Sequence, residues 1–255
     1  MELVVQSVAK HFGGVAALDD VSLRASQGAI TALIGPNGAG KTTLFNAMTG
    51  FAKADKGTIH FGDVRLDRLT PWQVARHGVI RTFQTPVGFP SLTVLENMFA
   101  AGAPHAAASV ASVLRFRAMR AEARTSADRA KQLLRELQLW DLRDRYVDEL
   151  STGDRKLLEF ARQLMMHPRV LLLDEPAAGV APSYVDRLAE VIRSLRTERG
   201  ISCVVIDHNL AFIMQIADHI HVLDRGRLIA SGTPKEIADN ADVMRIYVGS
   251  SAVAS

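Results

Sequence analysis

The string Gly35-Pro36-Asn37-Gly38-Ala39-Gly40-Lys41-Thr42 fits the phosphate-loop pattern G-x-x-x-x-G-K-[S/T] at every fixed position. The apolar run Ala29-Ile30-Thr31-Ala32-Leu33-Ile34 precedes it and Thr43-Leu44-Phe45-Asn46-Ala47-Met48 follows, so the loop is predicted to leave a strand and open a helix. Glycines let the chain curl until successive N–H groups point inward, and a helix N-terminus adds the positive end of its dipole. In such a loop Lys41 reaches the β- and γ-phosphates and Thr42 offers its hydroxyl to Mg²⁺. A plain glycine turn would also join strand to helix, but it does not require all four fixed positions in this context. The ligand implied is a nucleoside triphosphate, and the loop is silent on what its hydrolysis drives.

The chain has 255 residues, 48% of them apolar and 22% charged, enough for one large domain or for one domain with an inserted subdomain. Its net charge of +3 is the small difference between 30 basic and 27 acidic residues, so no nucleic-acid partner is expected. Cys203, the only cysteine, lies in the apolar run Ile201–Ile206, which fits a buried thiol in a reducing compartment. Met1-Glu2-Leu3-Val4-Val5 does not read as a secretory signal. The stretch from Met98 to Leu114 is broken by Pro104 and His105 and falls short of a spanning helix. Any work at a membrane is therefore expected from its aqueous side.

Leu3–Ala9 and Leu18–Ala25 alternate apolar and polar residues around a turn expected over His11-Phe12-Gly13-Gly14. With Gly57–Phe61 and Val64–Leu66 they predict an antiparallel layer. Phe12, beside two glycines, either stacks on a nucleotide base or belongs to the core of that layer. Val79–Gln84 reads as a strand delivering Gln84, a residue able to reach Mg²⁺ or the attacking water, or else a solvated loop residue. From Leu92 to about Leu139 the pattern turns helical and basic, with Leu133, Leu134, Leu137 and Trp140 at amphipathic spacing. Ser151 is placed to cap a helix running to Met166, and such an N-terminus is either a second anion site or an ordinary cap.

Val170-Leu171-Leu172-Leu173-Asp174-Glu175-Pro176 predicts a strand buried on both faces that ends in two carboxylates. In a chain with a phosphate loop, Asp174 suits Mg²⁺ and Glu175 suits a water aimed at the γ-phosphorus. Ile201–Asp207 repeats the pattern and delivers His208, which could bond the γ-phosphate. His219 and His221 share a face of the next strand, without a third ligand nearby in sequence. Leu223–Leu228 reads as a hairpin turn.

Taken in order, the loop at 35–42, Gln84, Leu150-Ser151-Thr152-Gly153, Leu171–Pro176 and His208 resemble the ATP-binding subunit of an ABC transporter over nearly the whole chain. They correspond to Walker A, the Q-loop, the signature, Walker B with its glutamate, and the H-loop. Arg81-Thr82-Phe83-Gln84, Leu92–Asn97, Glu175–Gly179, Ile206–Asn209 and Gly232-Thr233-Pro234 look like the ATPase subunits of bacterial branched-chain amino-acid importers, including urea and amide importers.

The resemblance implies an α/β fold of the ABC type: a mostly parallel P-loop core sheet, an N-terminal antiparallel β layer and an inserted helical subdomain. It divides the chain into core at 1–87, helical subdomain at 88–147, core again at 148–232 and a C-terminal helix and tail at 233–255. It implies ATP and Mg²⁺ as ligands and an ATPase on the cytoplasmic face of the cell membrane. Its partners would be two permease subunits, a second ATP-binding subunit and, indirectly, a periplasmic binding protein. By position, Phe12 would stack on adenine, and Gly35, Pro36, Asn37, Gly38, Ala39, Gly40, Lys41, Thr42 and Thr43 would hold the phosphates. Ser151 and Gly153 would complete the γ-phosphate shell from the opposing subunit. Glu175 would be general base, with His208, Gln84 and Lys41 in the catalytic set and Thr42, Gln84 and Asp174 at the metal.

Two positions depart from the pattern. Where the common signature is LSGGQ, this chain has Thr152 and Asp154, and an acid beside ATP is unfavourable unless it faces solvent or pairs with a cation such as Arg155. Ala181 precedes Pro182 where the family usually has Asn or Asp. These departures keep a low-turnover nucleotide-binding subunit beside the transport reading, and a soluble non-transport ABC ATPase is the third alternative.

Overall fold

The computed structural model describes residues 1–82, 88–102, 116–243 and 245, with the side chains of 116–123 outside that description. It divides into two compact units: Met1–Gln84 with Arg169–Ser255, and Thr85–Pro168.

The first unit begins with β1 (Leu3–Phe12) and β2 (Val15–Ala25), continues through β3 (Ile30–Ile34) and α1 (Lys41–Met48), and adds β4 (Lys56–Phe61) and β5 (Val64–Arg65). Alternation sends Leu3, Val5 and Val8 of β1 and Leu18, Val21, Leu23 and Ala25 of β2 into the core. The antiparallel sheet runs β2-β1-β4-β5. Its first turn is shorter than the sequence suggests: Phe12 pairs with Val15 across Gly13-Gly14, so His11 and Phe12 are strand residues. Gly13 has φ 58°, a left-handed value that a two-residue hairpin turn favours.

The second sheet of this unit uses β6 (Val79–Arg81), β7 (Val170–Asp174), β8 (Ser202–Ile206), β9 (His219–Asp224) and β10 (Arg227–Gly232), in the order β10-β9-β3-β8-β7-β6. Every pairing is parallel except that of β10 with β9. β3, β7 and β8 are buried at all five positions, which is why they read as apolar runs and not as alternation. Cys203 lies fully buried in β8, and burial pushes its thiol up to about 12. Leu44, Phe45, Ala47 and Met48 of α1 share one core cluster with Leu3 and Ile59 of the antiparallel layer and with Val170, Leu172 and Val204 of the parallel sheet. The phosphate-loop helix is thereby held by both sheets.

The unit is completed by α2 (Pro71–Arg76), α6 (Pro182–Arg199), α7 (Leu210–Ile216) and α8 (Pro234–Ala238). Their caps are local: Thr70 with Gln73 and Thr233 with Glu236 form capping boxes, and Asn209 Oδ1 accepts from Phe212 N at 3.1 Å. α6 starts differently, since its N-cap is Ala181, whose side chain makes no capping hydrogen bond.

The second unit contains α3 (Val94–Gly102), α4 (Phe116–Glu136) and α5 (Thr152–Met165). Met98, Ala130, Leu133, Leu134, Leu157, Leu158 and Leu164 form its buried face. The helix expected to extend to Leu139 stops at Glu136, and Trp140 belongs to a short 3₁₀ turn. Asn97 is completely buried and makes four bonds. Its Oδ1 accepts from Phe89 N at 2.9 Å, and its Nδ2 donates to the carbonyls of Phe89, Leu92 and Thr93. That side chain ties the loop before α3 to the helix itself, giving the Phe89 N–H an acceptor and adding a second donor to carbonyls that already accept a backbone N–H.

Candidate active site

Three neighbouring strands, β3, β8 and β7, end at one edge of the parallel sheet, where a doubly wound sheet presents its ligand crevice. From β3 comes the loop at 35–40. Gly35 has φ 152° and Gly40 φ 103°, and a Cβ on either would meet a backbone oxygen, of Leu223 at 2.0 Å or of Ala17 at 2.4 Å. Gly38, at φ 79°, faces open space. The loop is thus packed tightly on its protein side and open at Asn37 and Gly38, which are exposed. Such a cradle fits a phosphate chain. Pro36 and Thr43 are half-buried and Ala39 is buried. Ala39 O accepts from Gly226 N in the β9–β10 turn at 3.0 Å, which anchors the loop.

Lys41 opens α1 and is only 6% exposed. Its Nζ donates to Gly35 O at 2.7 Å and Pro36 O at 2.9 Å, so the ammonium is folded over the loop. Burial lowers its pKa, an effect that the carboxylates of Glu175 and Asp174 oppose. Thr42 is exposed at the mouth of the loop.

β7 ends in Asp174, and its Oδ2 lies 2.6 Å from Arg81 Nη2, with both side chains 7% exposed. The next residue, Glu175, takes φ 50°, a left-handed conformation unusual for a glutamate, and its N–H donates to Ile206 O at 2.8 Å. From β8 comes His208, whose Nε2 lies 2.9 Å from Glu175 Oε1. Asp207, the residue before His208, is 4% exposed: Oδ2 accepts from Ala177 N and Oδ1 from Asn209 N, each at 2.9 Å. It clamps the loop after β7 to the loop after β8.

The structure therefore brings Lys41, Asp174, Glu175 and His208 to one edge, with the loop glycines beside them. Phe12 closes the β1–β2 hairpin, 55% exposed, with Lys10 Nζ at 5.3 Å from its ring centroid, so it is a surface ring and not a core residue. Gln84 lies outside the described residues. Ser151 and Gly153 belong to the second unit. Ser151 caps α5, accepting from Asp154 N at 3.1 Å, and its Oγ donates to Asp154 Oδ2 at 2.6 Å. The neighbouring Arg155 donates to Leu150 O at 3.0 Å and Asp148 O at 2.9 Å. Asp154 thus meets the signature hydroxyl itself. His219 and His221 share a face as expected, with Ser231 Oγ between them at 2.8 and 2.9 Å.

Sequence reasoning missed Arg81, Asn46 and Asp207 as site residues. Only Asp207, one step before His208 at a strand end, carried a local signal.

A parallel sheet whose phosphate loop, acidic strand end and histidine converge in this way defines a P-loop nucleoside triphosphatase. The chain belongs to the ABC transporter ATPase family, whose description, ABC transporter, it matches over residues 18–178. It is 38% identical to the high-affinity branched-chain amino acid transport ATP-binding protein BraF of Pseudomonas aeruginosa, over 97% of both chains. Its identity to the corresponding protein LivG of Escherichia coli is 39%, again over 97% of both. Among solved structures, the ADP conformation of MJ1267, an ATP-binding cassette of an ABC transporter, superposes with a TM-score of 0.84 at 35% identity, over 98% of this chain and 99% of that one.

Proposed function

We propose that this chain is the ATP-hydrolysing subunit of an importer for branched-chain amino acids or a related small polar solute. The observation that carries the reading is the convergence of Lys41, Asp174 and the Glu175–His208 pair at the ends of β3, β7 and β8. Relatives that are transport ATP-binding proteins along their whole length support it over a soluble, non-transport ATPase.

ATP would lie on the loop at 35–42, its base against Phe12. Lys41 would exchange the carbonyls of Gly35 and Pro36 for β- and γ-phosphate oxygens, a short move for a flexible side chain whose ammonium already sits over the loop. Thr42 and Asp174, hard oxygen donors on facing elements, suit Mg²⁺, with Gln84 as a further donor. Bound there, the metal would neutralise charge on the triphosphate. Glu175, whose backbone is left-handed, would accept the proton of the attacking water. His208 holds that carboxylate by one ring nitrogen and would bond the γ-phosphate.

Ser151 and Gly153, at the N-terminus of α5, would bind the γ-phosphate held by a second ATP-binding subunit. ATP then joins two subunits and hydrolysis separates them, a change that two membrane permease subunits would convert into alternating access for solute delivered by a periplasmic binding protein. Among the described residues no helix is long and apolar enough to cross a membrane, which suits a subunit docked on the cytoplasmic face. The test is ATP hydrolysis by the subunit reconstituted with its permeases and binding protein: turnover should rise on adding a branched-chain amino acid. Turnover indifferent to permeases and to every amino acid would refute the assignment.

A further inference from the structure

The buried guanidinium of Arg81 joins the two elements that carry Thr42 and Asp174. Arg81 ends β6, next to β7 in parallel register, with Arg81 opposite Leu172. Its Nη2 reaches Asp174 Oδ2 at 2.6 Å and its Nη1 reaches Asn46 Oδ1 at 2.5 Å. Its plane also lies over the Phe45 ring, 5.6 Å from the centroid. Asn46 stands four residues after Thr42 on α1, one helical turn along the same face. One rigid fork therefore spans from the helix of Thr42 to the strand end of Asp174, and a second bond, from Asp174 N to Thr82 Oγ1 at 3.2 Å, fixes the backbone there.

We propose that Arg81 is a positioning residue for the metal: it fixes the Asp174 carboxylate and its separation from Thr42 so that these two groups receive Mg²⁺ with ATP. The inference rests on the reading of Thr42 and Asp174 as the groups that hold the metal. The geometry says why an arginine stands there. A carboxylate has two oxygens, and a charge-assisted bond on Oδ2 sets the plane in which Oδ1 is presented. Asn46 takes the other arm of the fork, so the guanidinium cannot follow the carboxylate if it turns. Without Arg81 the Lys41 ammonium, which already interacts electrostatically with Asp174, is a competing cation, and an Asp174 turned toward it would divert both groups from metal and phosphate. Lysine would keep the charge and lose the second arm, so it is not an equivalent replacement. Partners that orient a metal-binding group typically contribute about 10–100-fold to metal affinity.

The test is equilibrium binding of ATP to the full chain by calorimetry, once in EDTA and once in MgCl₂, together with electron paramagnetic resonance of Mn²⁺ bound with ATP. Arg81→Met should keep metal-free ATP binding within about threefold while lowering the gain from Mg²⁺ by about 10–100-fold. Arg81→Lys should recover part of that gain, Asn46→Ala should lose part of it, and the Mn²⁺ spectrum should broaden in each. If Arg81→Met does not fold, the lysine and Asn46 variants decide. A Mg²⁺ gain and Mn²⁺ spectrum unchanged in the Arg81 and Asn46 variants, with Asp174→Asn losing the gain, overturn the positioning role alone. A gain that survives Asp174→Asn removes the metal reading of Asp174 on which it rests.

Discussion

His208 Nε2 lies 2.9 Å from Glu175 Oε1, joining side chains that leave adjacent parallel strands. Two local features fix the pair. Glu175 is held by its left-handed backbone and its N–H bond to Ile206 O, and Asp207 clamps the loops from which both residues emerge. If the pair aims Glu175 at water and senses the γ-phosphate, His208→Ala should lower ATP turnover by roughly 10²-fold or more, with ATP affinity little changed. Steady-state kinetics beside calorimetric binding measures both; a loss of binding that matches the loss of turnover would contradict the role.

Lys41 supplies the charge of the loop. Lys41→Ala should weaken ATP binding by about 10–100-fold, the range for a hydrogen bond to a charged group. Burial also sets a pH dependence. Burial holds the Lys41 ammonium below the ordinary lysine range, so it is lost at a lower pH than in an exposed lysine. ATP affinity should therefore fall as pH rises through that lowered value, and the alkaline limb should be absent in Lys41→Ala. Calorimetric titrations across the alkaline range check it.

Asp154 occupies the hydroxyl of Ser151, at 2.6 Å, and brings negative charge to a helix N-terminus that would meet a triphosphate. Asp154→Gln should leave the Asp154 N–H bond to Ser151 in place while removing the charge. ATP-dependent self-association of a Glu175→Gln background should then tighten by about 3–10-fold, as expected for relieving one screened repulsion. Analytical ultracentrifugation with ATP measures it, and weaker association would show that the carboxylate helps to present Ser151.

Ala181 leaves the first turn of α6 without a side-chain cap, although its extended φ of −65° and ψ of 151° already suit one. Ala181→Asn should stabilise the fold by about 0.5–2 kcal/mol, read as a shift of the urea unfolding midpoint at unchanged slope. No shift would mean that α6 begins with its amides already satisfied by solvent.

Much of the fold was written locally. The phosphate loop, the buried apolar runs of β3, β7 and β8, the carboxylates at 174 and 175 and the Ser151 cap each follow from neighbours within a few residues. What the sequence hid were partnerships over long separations. Nothing near Arg81 announces that its guanidinium meets Asn46, 35 residues back, and Asp174, 93 residues on. Periodicity reports which face a residue takes, not which side chain waits there. Asn97 was hidden for the same reason, since its backbone partners depend on how the loop from Phe89 to Thr93 closes. Asp154 was weighed against Arg155 because adjacent charges suggest pairing, yet helix geometry sets residues three apart, Ser151 and Asp154, side by side.

The central claim is that Glu175 is the base of an ATPase site, and Glu175→Gln tests it most directly. Removing the proton acceptor while keeping the side-chain shape should lower hydrolysis by roughly 10²–10⁴-fold. ATP binding should stay close to that of the unaltered chain, because the phosphate loop is untouched. Single-turnover hydrolysis and calorimetric ATP binding on the same preparation give both quantities. Slow turnover with intact binding is the expected result; turnover equal to that of the unaltered chain would contradict the claim.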